Sequence, residues 1–198
     1  MHIANFYIPL DYNSPVILSY LFCSLFACLL NFLTRGKTNR LFFSNYRSSI
    51  FHPLFYVRLF THSIGHKNFQ HLIHNFLFLL LIGPMMEEKY GSIPILLMFL
   101  ITSLGIALWN LLFHDYCILG ASGNVYMLII LSSFTNITQG KIPLTLIFIF
   151  IFYIVSEMKS NLVEGNQKVY HTGHLLGALF GILFGLYFYY GLSIPFIQ

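Results

Sequence analysis

Apolar residues fall in six runs along this chain, at about 16–33, 69–86, 93–113, 122–135, 142–155 and 170–192. Polar and aromatic stretches separate them. The longest covers about 34–68, and the second run ends at Glu87-Glu88-Lys89. About 20 consecutive apolar residues of helix cross the hydrocarbon core of a bilayer. The pattern therefore predicts an all-α, polytopic membrane protein with six transmembrane helices in one domain spanning 1–198. The fourth run is too short to cross comfortably. A short central helix among longer ones starts below the membrane surface. Its first residue, Ser122, then lies at the floor of a cavity that water can fill.

Composition narrows the class further. Of 198 residues, 57% are hydrophobic and 8% charged, more apolar surface than a soluble core can hide. Its natural partner is the lipid bilayer. The net charge of +4 arises from few charges, with no Lys/Arg stripe between exposed aromatics, which argues against nucleic acid. Cys23, Cys28 and Cys117 have neither a metal-binding spacing nor the even count of a disulfide framework. Residues 1–15 lack the Lys or Arg of a signal n-region, so the first run reads as a plain membrane helix.

The candidate chemistry sits at the heads of two runs. Ser122 lies in Gly120-Ala121-Ser122-Gly123, and His174 in Gly173-His174-Leu175-Leu176-Gly177. A serine and a histidine so placed can form a nucleophile–base pair, and polar groups are costly enough in hydrocarbon to suggest function. Gly173, Gly177, Gly181 and Gly185 recur every four residues on one helix face. Such a stripe lets another helix approach closely, which would bring His174 to Ser122. His71 and Asn75, also four apart, project from one face of the second run and can donate to an oxyanion. The backbone N–H of Ser122, with that of Ala121, can add donors. Tyr126, one turn after Ser122, can stack on His174.

No carboxylate is well placed for a triad, which leaves a Ser122–His174 dyad. A dyad needs no cofactor. The pairs His62/His66, His71/His74 and His171/His174 have helical spacing, but there is no His-Glu-x-x-His and no acid within reach of them, so no metal is expected. His62, His66, His74 and His171 read as loop or interfacial residues, and Trp109 as packing or an interfacial anchor.

Taken in order, these motifs resemble the rhomboid intramembrane serine proteases of the six-helix bacterial type. The resemblance rests on Arg58-Leu59-Phe60-Thr61-His62, His71 with Asn75, Glu88-Lys89-Tyr90-Gly91-Ser92, Gly120-Ala121-Ser122-Gly123 with Tyr126, and His174 with Gly177. It implies a rhomboid-like bundle in a bacterial inner membrane that cleaves single-span membrane proteins in or near their transmembrane segment. Ser122 is then the nucleophile, His174 the base, and His71, Asn75 and the Ser122 amide the oxyanion hole, with Tyr126 supporting His174. Where the family often has Trp-Arg, this chain has Val57-Arg58. The resemblance also implies an active site opening away from the cytoplasm. Positive-inside counting points the other way, because the first and fifth loops hold eight Lys or Arg residues against Lys89 and Lys141 opposite. Two alternatives stand beside the protease. A catalytically silent rhomboid-like client binder would usually lack the serine or histidine. A histidine-relay transporter would show internal repeats and intramembrane acids.

Overall fold

A computed structural model describes residues 11–114, 116–135, 144, 147, 148, 151 and 172–191. Among them the chain is helical, with one isolated antiparallel bridge between Asn45 and Ile118. The elements are α1 (Pro15–Leu33), α2 (Lys37–Phe42), α3 (Pro53–Thr61), α4 (Phe69–Tyr90), α5 (Ser92–Phe113), α6 (Ser122–Ser132) and α7 (Thr172–Tyr189). α1, α4, α5 and α7 are long and apolar enough to cross a membrane, while α6 has only 11 residues. The expected short central helix is thus present. The expected fifth span at about 142–155 lies outside the described residues, apart from Leu144, Ile147, Phe148 and Ile151, which are helical.

The core packs around α6. Leu72, Phe76 and Leu79 of α4, with Ile95, Met98 and Phe99 of α5, bury against Val125, Met127, Leu128 and Leu131. The outer faces of the long helices stay apolar and exposed, for example Leu77 and Leu81 on α4, as lipid-facing surfaces are.

Two features depart from the hydropathy pattern. The stretch 34–68 folds into α2 and α3, tied down by Arg58. Its guanidinium is buried, lies 4.3 Å from the Tyr46 ring centroid, and donates to the Tyr46 hydroxyl at 2.7 Å and the Ser48 hydroxyl at 2.5 Å. Helix α4 also continues past residue 86 to Tyr90, carrying Glu87 inside. The reason is a cap between helices. Buried Glu87 accepts from the N–H groups of Val16 (2.9 Å) and Ile17 (3.0 Å), amides that the first turn of α1 cannot satisfy itself. A carboxylate there also complements the helix dipole. Glu87→Ala strands the buried Ile17 amide and the half-buried Val16 amide, and a charged hydrogen bond contributes about 1.5–3 kcal/mol. The variant is therefore expected to melt several degrees below wild type in detergent, as thermal unfolding followed by circular dichroism would show.

Candidate active site

Ser122 is the first residue of α6, and Ala121, fully buried, is its N-cap. The first amides of a helix have no intrahelical acceptor and sit at its positive end. The Ser122 N–H is therefore a donor beside its own hydroxyl. The segment leading to it is pinned to the first loop. Asn45 and Ile118 exchange backbone hydrogen bonds at 2.9 and 3.0 Å, and the Gly120 N–H donates to the His62 carbonyl at 2.9 Å. The buried Asn110 amide holds the same segment, donating to Asn45 Oδ1 (3.0 Å) and the Tyr116 carbonyl (2.9 Å).

Gly120 is required twice over. Its φ of +129° is one that side chains rarely adopt. A Cβ there would also meet His71 Cε1 at 2.8 Å and Nε2 at 3.1 Å, with Asn75 Nδ2 at 3.9 Å. The same numbers show that His71 and Asn75 converge on the turn just before Ser122. Both stand at the start of α4, where the Asn68 side chain caps the helix by accepting from the His71 N–H at 2.8 Å. Asn75 is buried and gives one amide hydrogen to the His71 carbonyl at 3.1 Å, which leaves its second.

The glycine stripe of α7 lies against α6. A Cβ on Gly177 would be 2.2 Å from the Gly123 carbonyl oxygen, and one on Gly181 would be 2.5 Å from that of Met127. The Gly173 carbonyl is 3.5 Å from a Cβ built on Gly123. Backbone thus meets backbone where α6 and α7 begin, so Ser122 and His174 stand on adjoining first turns. The His174 ring stacks on Tyr126, with centroids 4.5 Å apart and planes 25° apart. All six residues singled out from the sequence, Ser122, His174, His71, Asn75, Ala121 and Tyr126, therefore gather at one end of the bundle. His171 lies outside the described residues.

Other polar groups here had no signal in residue spacing. A cavity of about 30 Å³ lies behind Ser122, lined by His62, Ser63, Ser103 and Asn124 among others. That is room for a water or two with polar partners. His62 and His66 lie in the loop between α3 and α4, as expected, but are buried there, 3% and 0% exposed. His62 Nε2 donates to the Ser103 carbonyl at 3.0 Å, and His66 Nδ1 to that of Ile64 at 2.9 Å. Burial pushes both down to about 4, so both are neutral at pH 7. His62 thereby ties the first loop to α5, whereas the His66 bond stays within its own loop. Among the described residues, no three His, Cys, Asp or Glu side chains gather in a group that could hold a metal.

The bundle defines a class, an all-α polytopic membrane protein with a short central helix among longer ones. Comparison with known families agrees: residues 53–191 match the Rhomboid domain model, and the chain belongs to that family. It is a multi-pass membrane protein. It is also similar to Rhomboid-like protein 11, chloroplastic, of Arabidopsis thaliana, with 28% identity over 133 residues. That match covers 60% of this chain and 48% of the plant protein, so it spans about half the length of that relative.

Proposed function

We propose that this protein is an intramembrane serine endopeptidase that cuts single-span membrane proteins in or near their transmembrane segment. The observation that carries this reading is the adjoining of the first turns of α6 and α7, with His174 stacked on Tyr126 beside Ser122. In this reading the chain is one six-helix domain, with the run at about 142–155 as its fifth span. The six-helix type that it resembles belongs to bacterial inner membranes.

Ser122 Oγ attacks the scissile carbonyl while His174 takes its proton. The tetrahedral oxyanion receives hydrogen bonds from the Ser122 N–H, Asn75 Nδ2 and His71, with the Ala121 turn holding the donors in place. Collapse expels the amine, which takes the proton back from His174 and leaves an acyl group on Ser122. A water, for which the polar cavity beside Ser122 offers a store, gives a proton to His174 and attacks the acyl carbon; the bond to Ser122 Oγ then breaks, Oγ takes that proton back, and the second product leaves. Backbone hydrogen bonds persist in lipid, so the substrate must be unwound where it is cut. Small or helix-breaking residues near a helix end favour that.

The test is cleavage of a single-span model substrate in liposomes. Losing one oxyanion donor typically costs about 10²–10³ in kcat. Asn75→Ala is expected to fall in that range while keeping the wild-type melting temperature within a few degrees. Full activity in both Asn75→Ala and His71→Ala would remove these residues from the oxyanion hole.

A further inference from the structure

A second, larger cavity of about 530 Å³ runs between α1 and α5. Ser19 and Cys23 on α1 form one wall, and Leu96 and Leu100 on α5 the other, with Phe60 and Ile64 closing the end beneath α3. In each pair the two residues are four apart, so each wall is a single helix face. The small side chains at Ser19 and Cys23 hollow the α1 wall. No charged residue lines the space. Cys23, Leu96 and Leu100 are exposed, so it opens sideways from two membrane-spanning helices, where the surrounding medium is hydrocarbon.

Size selects the occupant. The groove follows α5 from Ser92 to Ser103, about 16 Å at 1.5 Å per residue. This is close to half of the roughly 30 Å hydrocarbon core, the depth reached by a chain from one leaflet. One hydrocarbon tail matches that length, the uncharged lining and the opening into hydrocarbon.

The inner end is polar. Asn124, 2% exposed, lines both this groove and the cavity behind Ser122. Its amide nitrogen lies 3.3 Å from both the Tyr20 hydroxyl and Ser103 Oγ, while its Oδ1 has no hydrogen-bond partner. Ser63 and Ser103 also line both spaces. A thin polar partition therefore separates an apolar chamber from the Ser122 cavity.

We propose that this groove is a binding site for one acyl chain of a membrane lipid. The tail lies along Ser19, Cys23, Leu96 and Leu100 and ends against the Asn124 partition. This binding does not depend on the proteolytic activity.

The experiment uses the full chain in liposomes of phosphatidylcholine carrying a diazirine partway along one acyl chain, with photo-adducts mapped by mass spectrometry. Adducts at Cys23, Leu96 and Leu100 are expected to exceed those at Leu81 and Met85 several-fold. The latter pair is exposed on α4 at matching depth, because α4 and α5 run antiparallel from Gly91. Leu100→Trp fills the groove and should abolish the excess at Cys23 and Leu96 while leaving Leu81 unchanged. Ser19→Phe makes the same test from the other wall if that variant does not fold. Equal labelling of groove and α4 residues would mean ordinary boundary lipid and overturn the proposal. So would groove labelling that appears only after deletion of residues 2–10, since the chain's own first residues would then be the occupant.

Discussion

Ser122→Ala and His174→Ala are each expected to lower cleavage of a single-span substrate by about 10⁴-fold or more, and the double variant by no further factor. The reason is that the two residues act as one unit. Without the hydroxyl, no acyl group can form on the enzyme. Without the imidazole, a serine hydroxyl at neutral pH is too weakly nucleophilic, and the departing amine has no proton donor. A factor of 10⁴ corresponds to about 5.5 kcal/mol of barrier. Cleavage rates in liposomes, alongside melting temperatures, measure the effect. Multiplying losses in the double variant would show that Ser122 and His174 contribute independently.

Gly177→Val is expected to cost far more activity than Gly185→Val, on packing grounds alone. At Gly177 a new Cβ meets the Gly123 backbone, with the carbonyl oxygen at 2.2 Å and the Cα at 3.1 Å. Neither atom can yield without moving the first turn of α6. At Gly185 the nearest atom is Phe134 Cγ, at 2.4 Å, which that side chain can move by changing χ1 without shifting the first turn of α6. Forcing α7 outward at Gly177 carries His174 off Ser122. A misplacement of about 1 Å can cost on the order of 10²-fold. Comparing cleavage with thermal stability for both variants separates displacement from unfolding. Unchanged cleavage in Gly177→Val would contradict the close approach of the two helices.

Much of this was legible in the sequence because membrane helices write themselves in hydropathy. The expected runs at 16–33 and 93–113 match α1 and α5 to within one residue. The glycine period announced the α6–α7 contact, since only a small residue allows backbone to meet backbone. The four-residue step from His71 to Asn75 placed both on one face before any fold was known. What escaped has a common cause. Glu87 looked like the polar end of a helix because hydropathy sees its charge and not its partners, the amides of residues 70 and 71 positions earlier. His62, Ser103 and Asn124 come from three separate elements, so no spacing along the chain links them. The helices α2 and α3 are too short for periodicity to separate from loop, and Arg58 supplies contacts that composition cannot show.

The most direct measurement of the central claim is covalent. The detergent-solubilised protein is treated with a fluorophosphonate, which phosphonylates an activated serine, and the modified residue is located by tandem mass spectrometry. The adduct is expected on Ser122 in wild type, absent in Ser122→Ala and in His174→Ala, and unaffected by EDTA or phenanthroline. Equal labelling of all three proteins, or an adduct on another serine, would contradict a Ser122–His174 dyad.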